Sequence, residues 1–191
     1  MIVLLFLVVV GLDVGSAYAG LRYTTSYRQN EIRGTTPMQL RLFMASHPII
    51  DEDGPALANI THEHKLSVKT VRSDGVCRVS NLDFKWDFVI TLPKAVDEAG
   101  MSQKTRVMWR EFTAYLKRDE ERHRTIFLGC GKDFVAEATK LTARGPCLLL
   151  RTKVKRYIDK EYQACMVKQR AFDREERQSV LKLSLLRTDR K

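Results

Sequence analysis

The sequence predicts an α+β fold, with an antiparallel sheet first and a long C-terminal helical hairpin packed on one face of that sheet. Two observations carry this prediction. Residues 58–71 and 76–92 have the period-two alternation of long strands and are joined by an Asp-Gly turn. Residues 102–143 and 148–174 have helical spacing and are separated by a Gly-Pro pair. The strands therefore precede the helices along the chain, an order typical of α+β domains.

The first 19 residues differ from the rest of the chain. Residues 2–10 are an unbroken apolar run, and Ala17-Tyr18-Ala19 has the small-x-small pattern of a signal-peptidase site. The run is shorter than the roughly 20 residues of a spanning helix, although an uncleaved anchor is the alternative. We therefore expect a signal peptide over residues 1–19, one domain over 20–178, a basic tail over 179–191, and a periplasmic or secreted mature protein.

The chain is strongly basic, with a formal net charge of +10 that becomes +11 when residues 1–19, which contain Asp13 and no Lys or Arg, are removed. A hydrophobic fraction of 44% and a charged fraction of 29% are typical of a soluble globular protein. The basic residues are dispersed and show no nucleic-acid-binding signature. We expect no specific nucleic acid partner, and an association with anionic envelope surfaces through the basic charge.

The N-terminal half of the domain begins with a short strand and a short helix. Residues 21–28 alternate weakly and predict the first strand. Thr36 followed by Pro37 is typical of a helix N-cap with proline at the first helical position, and this helix is expected to end near His47. The acidic cluster at residues 51–53, followed by Gly54 and Pro55, predicts a loop, since the other ligands of a calcium site are missing.

The strand over residues 76–92 has one strongly apolar face. Its even-numbered positions from Phe84 to Ile90 are all apolar, whereas Lys85 and Asp87 point the other way. We expect the long helix to cover this face. On the preceding strand His62 and His64 share one face, but a pair of exposed histidines on a sheet does not require a metal.

The long helix carries polar residues on its buried face. Its apolar positions recur three or four residues apart, at Trp109, Phe112, Leu116, Phe127, Cys130 and Phe134. Continued through the gap between Leu116 and Phe127, this stripe falls on Asp119 or Glu120 and then on His123. Because unpaired charges are costly on a buried face, the pattern predicts a bound cation, an ion pair or a partly open cleft.

The spacing Asp119-Glu120-x-x-His123 differs by one residue from H-E-x-x-H, in which two histidines bind zinc and the glutamate activates water. A carboxylate oxygen is an acceptable zinc donor, so Asp119 and His123 are candidate ligands and Glu120 is a candidate general base. The alternative is a polar stripe in which an acid pairs with a neighbouring arginine. The local pattern is compatible with both.

Export makes the four cysteines candidates for disulfides, with three possible pairings of Cys77, Cys130, Cys147 and Cys165. None of them has C-x-x-C spacing. Cys130 and Cys165 lie on the two helices of the predicted hairpin. Counting turns about Gly145 places Cys165 roughly two turns beyond the level of Cys130, so a bridge between them stays open.

Several segments together resemble a known family over nearly all of residues 23–178. These segments are Tyr27 with Gly34-Thr35, residues 53–56, residues 75–79, Thr91-Leu92-Pro93, Trp109 with Phe112 and Leu116, Asp119-Glu120-x-x-His123, Cys147, and Phe172-Asp173. Their order and spacing resemble those of a bacterial secreted family of unknown function whose members are described as predicted zinc-dependent proteases. The resemblance implies an exported, metallopeptidase-like hydrolase that acts on a peptide or protein substrate.

The family's motifs are altered in this chain. The resemblance implies zinc ligands at Asp119, His123 and Gln178 with Glu120 catalytic, but Asp119 replaces the first histidine, and Gln178-Ser179 stands where the family has His-Gly. Such a set is poorer for zinc than histidines. The resemblance also implies a disulfide between Cys77 and Cys147. Two hypotheses follow: a metallopeptidase with a degenerate site, or a non-catalytic envelope binding or structural protein on the same fold.

Overall fold

The computed structural model describes residues 20–51 and 54–187. The signal-peptide prediction for residues 1–19 and the last four residues of the predicted tail lie outside the described residues. The elements follow the chain as β1 (Leu21–Ile32), α1 (Pro37–Ser46), β2 (Ile49–Asp51), β3 (Gly54–Ala56), β4 (Asn59–Ser73), β5 (Val76–Ala95), α2 (Gln103–Ala138), β6 (Thr142–Arg144) and α3 (Cys147–Val180).

The α+β prediction is confirmed, but the sheet is mixed and not purely antiparallel. Its order is β1-β5-β4, and the short β6 pairs with the beginning of β5. β4 and β5 form the predicted antiparallel hairpin, whereas β1 lies parallel to β5. After β1 the chain passes through α1 and the β2-β3 hairpin before it enters β4. β4 runs antiparallel to β1, and the turn into β5 brings the chain back parallel to β1.

The β4-β5 turn has the backbone that its residues favour. Asp74 and Gly75 both have positive φ, at 52° and 73°. A two-residue hairpin turn of type I′ requires positive φ at both central positions, and Asp-Gly is one of the pairs that tolerate it. The predicted turn is therefore confirmed, and it fixes the register in which Ser73 lies opposite Val76.

The helices bury the apolar face of β5, as predicted, and divide the interior into two cores. Phe84, Trp86 and Phe88 pack against Phe127 and Phe134 of α2 in the first core. Trp109 and Phe112 belong to the second core, at the opposite end of α2, together with Leu40 of α1. Leu185, which follows α3, is fully buried in the second core. Residues 181–187 are thus packed against the domain.

Both disulfides form, Cys77–Cys147 and Cys130–Cys165. The first was implied by the family resemblance, and the second resolves the pairing left open. Turn counting was misleading because α2 ends at Ala138, not near residue 143, and residues 142–144 form β6 along β5. This connection carries the chain past the end of α2 before α3 begins.

The two long helices are therefore offset. At 1.5 Å per residue, the helix from Cys130 to Ala138 spans roughly 12 Å and that from Cys147 to Cys165 roughly 27 Å. The disulfide holds the Cα atoms of Cys130 and Cys165 within 6.0 Å, so α3 starts roughly 15 Å beyond the end of α2. In the part of the chain that the structure describes, no helix is both long and apolar enough to cross a lipid bilayer.

Candidate functional site

A cleft of about 450 Å³ opens between the β2-β3 hairpin, the first residues of β4 and the helices α2 and α3. Asp119, Glu120 and His123 of α2 all line it. They do so because three or four residues make one helical turn, which places them near one another on the face that α3 and the sheet cover. Of the three alternatives that this part of the buried stripe left open, the structure shows two, a partly open cleft and an ion pair between His123 and Asp173.

The ring of His123 is hydrogen-bonded through both nitrogens to α3. Gln169 donates from Nε2 to the backbone carbonyl of His123 (3.0 Å), which turns its Oε1 towards Nδ1 of the ring at 2.6 Å. Nε2 lies 3.0 Å from Oδ1 of Asp173. Both partners are acceptors, so both ring nitrogens carry a proton and donate. His123 is therefore an imidazolium held between two residues of α3.

This arrangement sets the pKa of His123. Burial by itself lowers the pKa, but the hydrogen bonds to Asp173 and Gln169 outweigh burial and raise it to about 9. Phe172 adds an edge-to-face ring contact with a centroid distance of 4.7 Å. The ring is thus fixed in position and positively charged at neutral pH.

Two carboxyl groups lie beside this charge. Glu120 is only 6% exposed, and burial raises its pKa to about 8. The charge of His123 lowers the pKa of Glu120, whereas the nearby Asp119 raises it. Burial also raises the pKa of Asp119, and the charge of His123 partly offsets this increase. Glu120 is therefore largely protonated at neutral pH, so that it can donate a hydrogen bond as well as accept one.

The residues present do not fit a zinc ion. A histidine ligand needs an unprotonated nitrogen, and both nitrogens of His123 donate within the protein. Gln178 is exposed and is not among the residues that line the cleft. Within residues 20–51 and 54–187, no three His, Cys, Asp or Glu side chains are grouped so that they could hold a metal ion. The arrangement therefore gives no support to zinc.

His62 borders the same cleft from β4 but belongs to an aromatic cluster. Its Nε2 is 3.0 Å from the hydroxyl of Tyr162, and its ring packs 4.2 Å from that of Phe127. Burial, helped by the charge of His64, lowers the pKa of His62 to about 4. His62 is therefore a neutral ring in the wall of the cleft.

Two residues that matter to the site, Gln169 and Asp173, were not singled out as site residues from the sequence. A usable signal was present, because Gln169 stands four residues after Cys165 on the buried stripe of α3, where an apolar side chain is expected. The same reasoning that singled out His123 on α2 would have singled out Gln169. That the two side chains meet could not be read from spacing, since 46 residues separate them.

Comparison with protein families gives one match. A family model described as "Bacterial protein of unknown function (DUF922)" matches residues 27–179. No curated protein and no solved structure matches the chain. The match runs from the second half of β1 to the last turn of α3 and includes every residue of the cleft described above.

Proposed function

The chain belongs to the DUF922 family of bacterial proteins of unknown function, and from this premise we propose that it is an exported, non-catalytic peptide-binding protein on a metallopeptidase-like fold. The observation that carries the proposal is the state of His123, whose two ring nitrogens both donate to α3. The side of α2 that would present zinc ligands is thereby occupied by hydrogen bonds to α3. The cleft beside it nevertheless stays open.

The edge of the sheet supports a peptide as the ligand. Within the described residues β4 pairs only with β5, so its other edge carries unpaired backbone groups. Ile60, Thr61 and His62 of β4 line the cleft. An extended peptide can add to such an edge as a further strand, with its side chains directed alternately into and out of the cleft.

The chemistry of the cleft is also compatible with a peptide. Glu120 and Asp119 lie at one side, Arg170 and Arg177 of α3 at another, and Phe127 contributes an apolar surface. A protonated Glu120 can donate to a backbone carbonyl, and the arginines can bind carboxylates. The two disulfides support export, because such bonds persist in oxidising compartments.

Binding can be tested with a variant that fills the cleft. The chain is purified with both disulfides formed, and its affinity for members of a random peptide library is measured by fluorescence anisotropy. Ala56→Trp, on the β3 side of the cleft, should abolish peptide binding, whereas Ala164→Trp, on the exposed face of α3 outside the cleft, should leave it unchanged. Chelator should have no effect on the affinity. Equal binding by the two variants would contradict a peptide site in the cleft.

The metallopeptidase hypothesis is retained as a second candidate because Glu120 and His123 line the cleft as the family motif requires. It differs in a measurable way. If the chain is a metallopeptidase, elemental analysis of protein purified without chelator will find stoichiometric zinc. Peptide hydrolysis will then be lost in Glu120→Gln, because this change removes proton transfer but no ligand. Zinc together with such hydrolysis would overturn the non-catalytic proposal.

A further inference from the structure

The first three turns of α3 project beyond α2 and present an apolar and cationic surface. Leu148 and Leu149, in the first turn, are 69% and 56% exposed. Lys155 and Arg156 in the third turn, and Lys160 in the fourth, lie on the same outward side, since positions three, four and seven residues apart share a helix face. We call these five residues the overhang surface.

The opposite side of the same turns explains why the leucines are not needed for folding. Leu150, Val154 and Ile158 are buried in the first core, so the inner stripe of α3 already provides the apolar side chains that pack there. Because α3 begins roughly 15 Å past the end of α2, no turn of α2 covers Leu148 and Leu149. Two large apolar side chains are therefore left in water next to each other at one end of the molecule.

Positive charges outnumber negative charges around these two leucines. Within the described residues Lys155, Arg156 and Lys160 take part in no ion pair, while Lys153 donates to the carbonyl of Thr142 (3.2 Å). Of the acids at this end, Glu137 is paired with Lys140, and Asp133 and Glu161 lie near Tyr157, whose pKa they help to raise. Asp159 lies on the same outward side as Lys155 and Arg156, since it follows them by four and three residues. With three cations against the single acid Asp159, this outward side keeps a net positive charge that favours a negatively charged partner.

We propose that the overhang surface docks the protein on anionic lipid membranes, with Leu148 and Leu149 inserted at the level of the acyl-chain boundary and Lys155, Arg156 and Lys160 among the headgroups. Apolar side chains flanked by Lys and Arg are the combination that holds amphipathic helices at an interface. Charge complementarity selects the lipid, because an anionic surface attracts each nearby cation.

Docking in this orientation leaves the cleft free. The cleft residues of α3 begin at Tyr162 and extend to Arg177, whereas the overhang surface ends at Lys160. The inference is therefore independent of the peptide-binding proposal. A membrane-bound protein would keep the edge of β4 and the cleft accessible to a ligand.

The test measures co-sedimentation of the exported chain, with both disulfides formed, on vesicles containing equal parts of phosphatidylglycerol and phosphatidylcholine, at physiological ionic strength. Each cation near such a surface contributes about 1 kcal/mol, so Lys155→Gln with Arg156→Gln should weaken binding roughly 30-fold. The matched control is Lys168→Gln with Arg174→Gln, which removes the same charge from exposed positions further along α3. This control should change the affinity less than about threefold, since only nearby charges count.

The insertion step has its own control. Leu148→Ser with Leu149→Ser should weaken binding at least about tenfold, whereas Met38→Ser with Leu42→Ser, at positions 63% and 64% exposed on α1, should have no effect. Vesicles of phosphatidylcholine alone should not bind. The inference is overturned if the two cation pairs weaken binding equally, which would indicate an effect of net charge alone, or if the leucine variants bind as the unaltered chain does.

Discussion

Nε2 of His123 on α2 lies 3.0 Å from Oδ1 of Asp173 on α3. The histidine side chain is 10% exposed and the aspartate side chain 53%, so the pair spans the boundary between the packed helix interface and the cleft. The buried member is positioned by Gln169 as well, while the exposed member is reached by solvent. The carboxylate that accepts a hydrogen bond from the charged ring of His123 is thus screened by solvent.

We expect Asp173→Asn to destabilise the protein by about 1 kcal/mol near pH 6, a modest value because solvent screens the carboxylate. The raised pKa of His123, about 9, means that its stabilisation is complete below pH 6.5 and is lost as the pH rises through 9. The difference between variant and unaltered chain should therefore shrink over this range. Urea denaturation at several pH values measures it. Asp159→Asn, at an exposed position on α3, is the control, and a pH-independent difference would contradict the ion pair.

Gln169→Leu should cost more, about 2–3 kcal/mol, because it leaves Nδ1 of His123 buried without a partner and removes the second hydrogen bond that the His123 carbonyl accepts. Gln169 is 3% exposed, so water does not replace the lost hydrogen bonds. Thermal denaturation followed by circular dichroism gives the change. Gln163→Leu makes the same chemical substitution at an exposed position of α3 and should be nearly neutral. Equal melting temperatures of the two variants would show that Gln169 does not hold the ring.

Glu120→Gln tests the buried carboxyl. A folded-state pKa of about 8, above the unfolded value of 4.5, means that the folded state binds this proton more tightly, so Glu120 costs stability as the pH rises from 4.5 to 8. The neutral variant avoids that cost. Its free energy of unfolding relative to the unaltered chain should therefore increase across this interval and level off above it. Glu63→Gln, on the exposed side of β4, is the matched control, and a flat difference for Glu120→Gln would refute the shift.

Removing either disulfide should destabilise the protein by about 2–4 kcal/mol. Cys77–Cys147 closes a separation of 70 residues and Cys130–Cys165 one of 35, so chain entropy predicts that losing the first costs about 0.6 kcal/mol more. Paired Cys→Ala variants and guanidinium denaturation measure both. Loss of the second bridge should also leave the register of α2 and α3 intact, because β6 still fixes where α3 begins. A smaller cost for the longer loop would argue against the entropic explanation.

Restoring the family's histidines should not create a tight zinc site. Asp119→His with Gln178→His supplies two imidazoles, but residue 178 lies outside the cleft and His123 has no free nitrogen. Isothermal titration with zinc should show no gain over the unaltered chain. The comparison is with Asp119→His combined with Asp173→Asn and Gln169→Ala, in which the ring nitrogens of His123 lose their hydrogen-bond partners on α3. A large gain in the first variant would mean that α3 can move away from the ring.

The sequence by itself determined the features that depend on local periodicity. Alternation from Phe84 to Ile90 determined which face of β5 is buried, and Asp74-Gly75 determined the turn before it. The spacing of three and four residues on α2 placed Asp119 or Glu120, and then His123, on its covered side, where such residues indicate a bound cation, an ion pair or a cleft. In each case the signal lies within a few turns or one strand, because burial of one face constrains residues that are neighbours in the chain.

Only the tertiary structure decided which elements meet and at what level. The three residues of β6 interrupt a segment with helical spacing because their pairing with β5 outweighs local preference. That pairing sets where α3 starts, and the offset brings Gln169 and Asp173 to His123, leaves Gln178 outside the cleft, and exposes Leu148 and Leu149. Spacing along one helix records which side is buried. The partner across the interface depends on the docking offset between two helices, which is fixed by contacts distant in the chain.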